Sequence, residues 1–371
     1  MKVVHIFPNH HNHVLPMINF FHSIKETENN STYYIHASSP AIEKKYEQLV
    51  NINYIFFQSF AALIDNIKNQ KSTTIIFHSI FDLEQWAVIL MSRFRGKLIW
   101  VTWGADIYKH KLDLDSRLPA KQKIKIKAEL WVKRLAIQKF KYVVVPNKGD
   151  ATIVRSKLWR SNTTLLSYPV VGLKNNQSLM ADFRALPLPY QGITINLFCG
   201  NSGASSNNHK EALLSLKKFN NENIRITMPL NYGATKEYQK EIITLGKSIF
   251  GNKFNAITHM LNKAEYDNLL KQMDIGIFFH ERQQGLYVAR FFQLAGKLMY
   301  INSVTSTYKE FKDSSLIVRD SHGIHNLNFE EFTKLNKEDA ITNASKAAKL
   351  FTEDSLKPKW ATLTQGLNLK D

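Results

Sequence analysis

The residues best suited to chemistry lie in a loop of small side chains near the middle of the chain. A short apolar run, 193–199, is followed by Gly200, Asn201, Ser202 and Gly203, and an amphipathic pattern begins close to His209. Glycines let the backbone approach a ligand closely, and free N–H groups at a helix N-terminus attract anions. The pattern indicates a phosphate site. An ordinary strand-to-helix turn also fits, and neither GxGxxG nor P-loop spacing is present.

A second polar cluster follows the apolar run 275–279. It contains Arg282, Gln283, Gln284 and Gly285 and precedes an apolar helix. A guanidinium group can pair with phosphate, and glutamine amides can hydrogen-bond the hydroxyls of a sugar or ribose. A solvated loop with a helix cap is the alternative interpretation.

The first half of the chain offers one well-placed carboxylate and a histidine cluster. Asp106 follows the apolar run 98–102 and is a candidate general base if a substrate hydroxyl lies within reach, or else a cap for the next helix. His10, His11 and His13 follow the first apolar run. Because side chains at this spacing diverge, we predict no metal site there and treat one histidine as a candidate base or hydrogen-bond donor.

Positive charge is concentrated in the first half. The net charge is +18, and residues 93–160 hold 18 basic and 5 acidic side chains. Such a field attracts polyanions, so nucleic acid, an anionic membrane and a diphosphate-bearing substrate are all candidates. Within 117–141, lysines are interleaved with apolar residues around Trp131. This pattern fits a helix that lies on an anionic bilayer and equally a surface helix with an apolar core face.

Strands that alternate with helices must position these loops. Short apolar runs, including 142–145, 298–301 and 316–318, alternate with amphipathic ones, which predicts an α/β fold with mostly parallel sheets. A chain of 371 residues exceeds one hydrophobic core. We predict a first domain at 1–172, a linker at 173–192, a second domain at 193–352 and a closing helix at 353–371. Ligands of such doubly wound sheets bind outside the carboxyl ends of the strands, so we expect the site in a cleft between the domains.

Cysteine content and hydropathy restrict the compartment. Cys199 is the single cysteine, so an intrachain disulfide and a cysteine-based zinc site are excluded. No apolar run reaches the ~20 residues of a membrane-spanning helix, and the first residues lack the pattern of a secretory signal. We therefore expect a cytoplasmic protein.

The order and separation of three motifs resemble those of one known family. The motifs are WGADIY at 103–108, GNSG at 200–203 followed by Asn208 and His209, and RQQG at 282–285. Together they resemble the bacterial 4-acetamido-4,6-dideoxygalactose transferases of enterobacterial common antigen synthesis, glycosyltransferase family 56. Further similarity includes Tyr232 and Lys263 and covers most of the chain.

The resemblance implies a GT-B architecture, in which two Rossmann-like doubly wound domains face each other across a cleft. It implies transfer of a 4-acetamido-4,6-dideoxyhexose from a dTDP-sugar to an undecaprenyl-diphosphate-linked oligosaccharide, with no metal or other cofactor. The product would belong to the enterobacterial common antigen, an O-antigen or a capsule. A nucleotide-sugar epimerase or hydrolase on the same scaffold is the alternative enzyme. A basic nucleic-acid-binding protein is the non-enzymatic alternative, which no fold signature supports, and we expect no nucleic-acid partner.

The resemblance also assigns roles to residues of this chain. The diphosphate would contact the loop Gly200, Asn201, Ser202 and Gly203 and the helix start at His209. The other donor contacts would be Tyr232, Lys263, Arg282, Gln283, Gln284 and Gly285. Asp106 and His11 would face the acceptor, and either is the expected base if the reaction inverts the anomeric centre. The basic region 93–160 would meet the anionic cytoplasmic face of the inner membrane, where the protein would be peripheral.

Overall fold

The computed structural model describes residues 2–8, 11–26, 28–108, 120–170, 172–181 and 193–365, with the backbone alone at residues 11–13, 28, 105, 120 and 122. The chain divides into two units: Met1–Gly172 with Glu353–Asp371, and Leu173–Thr352. In the part of the chain that is described, no helix is long and apolar enough to cross a membrane.

A seven-stranded parallel sheet forms the centre of the first unit. Its strands are β1 (Lys2–Phe7), β2 (Ser31–His36), β3 (Tyr54–Phe57), β4 (Thr73–His78), β5 (Lys97–Val101), β6 (Tyr142–Val145) and β7 (Thr163–Leu165). The order across the sheet is β3-β2-β1-β4-β5-β6-β7, so the chain winds first to one side of β1 and then to the other. The carboxyl ends of β1 and β4 therefore form a topological switch point, the usual ligand position in such sheets.

Helices cover both faces of this sheet. They are α1 (His11–His22), α2 (Pro40–Glu43), α3 (Phe60–Ile67), α4 (Leu83–Met91), α5 (Ala105–Tyr108), α6 (Ala120–Ile137) and α7 (Lys148–Leu158). Successive side chains of β4 point to opposite faces. Phe77 packs in one buried cluster with Trp86 of α4, and Ile76 packs in another with Phe21 of α1. The strands are apolar on both faces because both faces are buried.

The second unit repeats this plan around a six-stranded parallel sheet. Its strands are β8 (Ile195–Cys199), β9 (Ile224–Pro229), β10 (Phe254–Ile257), β11 (Ile275–Phe278), β12 (Leu298–Ile301) and β13 (Arg319–Asp320). Its helices are α8 (Gln177–Ala181), α9 (His209–Leu216), α10 (Lys236–Phe250), α11 (Lys263–Gln272), α12 (Leu286–Leu294), α13 (Ser306–Asp313), α14 (Phe329–Thr333) and α15 (Lys337–Phe351). The order β10-β9-β8-β11-β12-β13 places a second switch point between β8 and β11.

The segments at the two ends of the second unit pack differently. Residues 173–181 of the predicted linker belong to the second unit, where Asn176 Nδ2 donates to the carbonyls of Leu294 and Ala344. Residues 182–192 lie outside the described residues. The helix α16 (Glu353–Thr364) returns to the first unit, where Trp360 stacks on Tyr168 with ring centroids 5.3 Å apart. The closing helix thus completes the core of the first unit, and residues 366–371 beyond it are not described.

Candidate donor site and its counterpart in the first unit

The two loops singled out from the sequence both leave the switch point of the second unit. One follows β8 and leads into α9, and the other follows β11 and leads into α12. Because β8 and β11 are hydrogen-bonded neighbours, their carboxyl ends are adjacent. The fold therefore brings the GNSG and RQQG segments, which are about 80 residues apart in sequence, to one position at the edge of the sheet.

Asn207 organises the loop after β8. Its side chain is 1% exposed, and its Oδ1 accepts a hydrogen bond from the backbone N–H of Asn201 at 2.9 Å. Its Nδ2 donates to Ser202 Oγ and to the Ala204 carbonyl, at 3.2 and 3.0 Å. One buried amide therefore fixes three points of the loop.

The two loops are bonded to each other. Ser206 Oγ donates to Gln284 Oε1 at 2.9 Å, and the backbone N–H of Glu281 donates to the Ser206 carbonyl at 3.0 Å. Gly285 has φ of +63°, and a Cβ atom placed on it would lie 2.9 Å from Cγ of Asn201. Both the left-handed backbone and the close approach of the first loop therefore favour glycine at 285.

The helices that follow these loops begin differently from their neighbours. The N-caps of α10 and α11, Thr235 and Asn262, accept hydrogen bonds from the first turns of their helices. The N-caps of α9 and α12 are Asn208 and Gly285. Among the described contacts, neither residue accepts a side-chain hydrogen bond from the first turn of its helix. The first-turn N–H groups of these two helices thus remain available to an anion, which the helix dipoles also favour.

Two buried histidines lie at the same place. His209 is 1% exposed and its Nδ1 lies 3.0 Å from Tyr238 Oη, while His280 is 4% exposed. Burial lowers the pKa of His209 to about 4, against a smaller opposing effect of the Ser202 backbone. Burial, together with His209 and Arg282, lowers the pKa of His280 to about 3. Both imidazoles are therefore neutral near pH 7.

Several side-chain atoms of this cluster are buried and unsatisfied. Within the described ranges, Nε2 of His209, Nε2 of His280, Oδ1 of Asn201 and Nε2 of Gln284 have no hydrogen-bond partner. Nε2 of His209 lies 3.2 Å from the position that a Cβ atom on Gly200 would occupy, so a larger residue at 200 would cover it. Buried polar atoms are normally paired, so a concentration of unpaired ones at a switch point indicates a ligand site.

The remaining residues predicted to contact the donor occupy the border of this cluster or its interior. Tyr232 is 51% exposed, and its hydroxyl accepts a hydrogen bond from Asn201 Nδ2 at 3.4 Å. Arg282 is half-buried and donates to the Gln283 carbonyl, and Gln283 is 4% exposed. The structure thus brings the residues of both loops together with Tyr232.

Lys263 is held by partners on its own helix and on α12. Its Nζ lies 2.5 Å from Asp267 Oδ2 and 3.1 Å from Tyr287 Oη, and Tyr287 donates to Asp267 Oδ1 at 2.6 Å. The carboxylate of Asp267 neutralises part of the charge that Lys263 could offer to a phosphate. A direct contact between Lys263 and the donor stays a prediction.

Asp106 lies in α5 of the first unit and is 1% exposed. Its Oδ2 accepts from Ser79 Oγ at 2.9 Å and from Trp100 Nε1 at 3.2 Å, and its Oδ1 accepts from the backbone N–H of Trp103 at 2.9 Å. Burial raises the pKa of Asp106, against the opposing effects of Lys133 and of these hydrogen bonds. A carboxylate bonded in this way orders the turn after β5. Asp106 is the second residue of α5, so it does not occupy the N-cap position that the alternative interpretation gave it. Its role as a base stays a prediction.

Buried histidines also occur at the switch point of the first unit. Nδ1 of His5 lies 2.9 Å from Nε2 of His78, and Nδ1 of His78 lies 2.5 Å from Tyr168 Oη. Trp103 Nε1 donates to the same hydroxyl at 3.1 Å. Burial lowers the pKa of His5 to about 3 and that of His78 well below its ordinary value. His11 begins α1 nearby in sequence, but its side chain lies outside the described residues.

Sequence reasoning missed residues whose roles arise from tertiary contacts. Ser206, Asn207 and His280 connect or line the two loops, and Asp267 holds Lys263. A weak signal existed for Asn207, because asparagine side chains commonly hydrogen-bond nearby backbone groups in turns. Among the side chains that the structure describes, no group of three or more His, Cys, Asp or Glu residues could hold a metal ion.

Several solved structures have a similar fold over nearly the whole length of this chain. The chain is similar to Anabaena HepE in complex with UDP and glucose (TM-score 0.68, 12% identity, covering 99% of this chain and 100% of HepE). It is similar to a glycosyltransferase from Rickettsia africae (TM-score 0.66, 10% identity, 98% of each chain). It is also similar to the N-terminal domain of Candida albicans trehalose-6-phosphate phosphatase (TM-score 0.66, 12% identity, 99% and 97%). The predicted fold class, two Rossmann-like domains of the GT-B type, is confirmed.

The fold and the matching family together define the class of the protein: it is a glycosyltransferase. Residues 2–306 match the sequence model of the family described as 4-alpha-L-fucosyltransferase, glycosyl transferase group 56. The chain belongs to this family, and the family predicted from the three motifs is confirmed.

Proposed function

We propose that this glycosyltransferase moves a 4-acetamido-4,6-dideoxyhexose from a dTDP-sugar to an undecaprenyl-diphosphate-linked oligosaccharide. The reaction would take place at the cytoplasmic face of the bacterial inner membrane, in the synthesis of a surface polysaccharide. The family match supports sugar transfer, and the UDP complex of the similar Anabaena protein supports a nucleotide-bound donor. The choice of dTDP and of the dideoxyamino sugar rests on the resemblance of the three motifs.

The observation that carries the donor assignment is the cluster of unsatisfied polar atoms at the β8–β11 switch point. It combines the N-termini of α9 and α12 with Nε2 of His209 and Nε2 of His280. A diphosphate carries several acceptor oxygens that can accept hydrogen bonds from such groups. In this proposal the oxygens of the donor diphosphate pair with the unpaired polar atoms of the cluster, and the backbone of the two loops moves little on binding.

The histidines would act as neutral hydrogen-bond donors. If Tyr238 Oη donates to Nδ1 of His209, the imidazole proton lies on Nε2 and points to the ligand. The leaving diphosphate gains negative charge as the glycosidic bond breaks, so donors placed around it stabilise the transition state more than the ground state. Arg282 would add a full positive charge, whereas Lys263 is partly neutralised by Asp267.

The proposal for the acceptor is less direct. Asp106 or His11 would take the proton of the acceptor hydroxyl if the reaction inverts, and no metal ion would be needed. The basic region 93–160 would lie at the anionic membrane surface that holds the lipid-linked acceptor.

Thermal stabilisation by nucleotides tests the donor class. We expect dTDP to raise the Tm of the whole chain more than UDP or GDP at equal concentration, because at a given concentration the ligand with the lower Kd for the folded state stabilises it more. Arg282→Ala should reduce this rise, whereas Arg225→Ala, on the exposed side of β9, should not. Equal shifts with all three nucleotides would contradict the dTDP assignment. Rapid conversion of a dTDP-sugar without any acceptor would favour an epimerase or hydrolase instead.

A further inference from the structure

The helix α6 has a second apolar stripe that faces solvent. Its core side buries Leu130, Ala136 and Ile137. On the opposite side, Ile124, Trp131 and Leu135 are 67%, 51% and 51% exposed. Residues at i, i+7 and i+11 lie on one line along a helix, so these three side chains form a continuous outward stripe. A soluble helix that packs on a core does not require apolar residues on this side.

Cations border this stripe on both sides. Lys121 and Lys125 lie along one edge and Lys127 along the other, and all three are exposed. The sequence of α6 contains five lysines and one arginine against one glutamate. The outward surface of the helix is therefore apolar along its centre and positively charged along its borders.

Trp159 extends the apolar stripe from the neighbouring helix. It ends α7 in the left-handed conformation, with φ of 55°, and its side chain is 52% exposed. Its ring lies 5.2 Å from that of Trp131 in an edge-on arrangement, and the Arg134 guanidinium lies 3.8 Å from its centroid. Gln138 Nε2 donates to the Trp159 carbonyl at 3.3 Å. Arg134 of α6 and Gln138, which follows the helix, thus hold Trp159 beside Trp131 while its backbone is in the left-handed conformation.

We infer that Ile124, Trp131, Leu135 and Trp159 insert into the headgroup region of an anionic bilayer while Lys121, Lys125 and Lys127 contact lipid phosphates. This inference deepens the proposed function and rests on it for the identity of the membrane. Aliphatic and indole side chains suit the acyl boundary, and lysines suit anionic headgroups. A nucleic acid would leave Ile124 and Leu135 without an apolar partner, and a second copy of this surface would oppose cations to cations.

Vesicle sedimentation of the full chain tests the inference. We expect binding to vesicles of phosphatidylethanolamine and phosphatidylglycerol in a ratio of about 3:1, release at high salt, and weak binding to phosphatidylcholine alone. The variant I124S/W131S/L135S should bind at least about tenfold more weakly. The variant K121Q/K125Q/K127Q should bind on the order of 100-fold more weakly, from about 1 kcal/mol per lysine.

Matched controls separate this surface from general charge and hydrophobicity. V50S/L214S/V304S removes exposed apolar residues elsewhere, and K236Q/K240Q/K247Q removes lysines from α10, so both should bind vesicles as the unaltered chain does. Binding that is unchanged in I124S/W131S/L135S, or equally weakened in the controls, would overturn the inference. All variants should keep the Tm rise caused by dTDP. Vesicle binding without any Tm response to dTDP would contradict the proposed function and support the lipid-binding surface. A Tm response to dTDP without vesicle binding would support the proposed function and overturn the inference.

Discussion

The switch points of the two units contain buried histidines in different states of hydrogen bonding. In the first unit both nitrogens of His78 are bonded, to His5 and to Tyr168, and both oxygens of Asp106 accept hydrogen bonds. In the second unit Nε2 of His209 and Nε2 of His280 have no partner among the described residues. Nε2 of His5 is also unpaired, but its ring is enclosed by aromatic rings of the core, including Phe21 and Tyr33.

The difference separates structural polar groups from groups that can bind a ligand. Both polar atoms of His78 and both oxygens of Asp106 are hydrogen-bonded, so these two side chains contribute to the stability and shape of the first unit's switch point. The loops of the second unit satisfy each other through Asn207 and Ser206 but leave atoms at their meeting point unpaired. The same fold thus places a fully hydrogen-bonded His78 at one switch point and two histidines with an unpaired Nε2 at the other.

Acid should produce the largest effect and should act on both regions. Folded-state pKa values are lowered to about 3 for His5 and His280 and to about 4 for His209, whereas an unfolded histidine titrates near 6.5. Between about pH 6.5 and pH 4 the unfolded chain binds protons that the folded chain does not. The free energy of unfolding should fall by roughly 1.4 kcal/mol per pH unit for each such histidine. Urea denaturation at a series of pH values measures this slope, and a flat profile in that window would contradict the burial of neutral histidines.

Asp106→Asn should produce the largest effect of a single substitution. An amide nitrogen would face the donors Trp100 and Ser79, so we expect a loss of about 3 kcal/mol in the free energy of unfolding. Asp65→Asn, whose carboxylate is 69% exposed in the same unit, should change little. Unfolding curves and turnover are measured together. Lost turnover at unchanged stability would instead make Asp106 the catalytic base.

His209→Ala should weaken nucleotide binding more than it weakens the fold. Removal of a buried donor to a diphosphate should raise the Kd of dTDP on the order of 10- to 100-fold, with a change of about 1 kcal/mol in stability from the lost contact to Tyr238. His78→Asn is the counterpart in the first unit. It should lower stability, because His5 and Tyr168 lose a shared partner, and leave the Kd of dTDP unchanged. Calorimetric titration of both variants with dTDP measures the two Kd values. Equal increases in Kd would contradict the assignment of nucleotide binding to the second unit alone.

Gly285→Ala should produce the smallest of these effects, confined to the meeting point of the two loops. The new methyl group would press on Asn201 and would strain a left-handed backbone, which costs about 1–2 kcal/mol and separates the loops. We expect a rise in the Kd of dTDP of about tenfold. Gly251→Ala is the control, because its φ is also positive but nothing lies within 4 Å of the added atom. It should lose stability and keep its nucleotide affinity.

Local sequence patterns predicted most strands because apolar runs that are buried on both faces stand out. β6 and β12 have the predicted ends, 142–145 and 298–301. β7 was missed, since Thr163–Leu165 is short and carries two threonines. The predicted strand 316–318 was wrong: Leu316 and Val318 are buried in the core, and the pairing with β12 is made by Arg319 and Asp320. Apolar character predicted burial there but not backbone pairing.

The sequence predicted those parts of the candidate site whose residues lie close together in one loop. Glycines and a helix start identified the segment at 200–209, and polar residues after a strand identified 282–285. The bond between Ser206 and Gln284 joins residues 78 positions apart, so no local pattern contains it. The burial of Asp106 beneath Trp100 and Trp103 is likewise a product of the sheet and its helices. Spacing alone could not separate a base from a structural carboxylate.

The position of α16 has a consequence for the order in which the protein matures. Trp360 stacks on Tyr168 and contacts Phe21, and these residues belong to the unit that is synthesised first. While the second unit is being synthesised, the apolar surface around Phe21 and Tyr168 lacks the helix that covers it in the folded protein. We therefore expect this surface to remain exposed after β7, the last strand of the first sheet, has been made and until α16 follows.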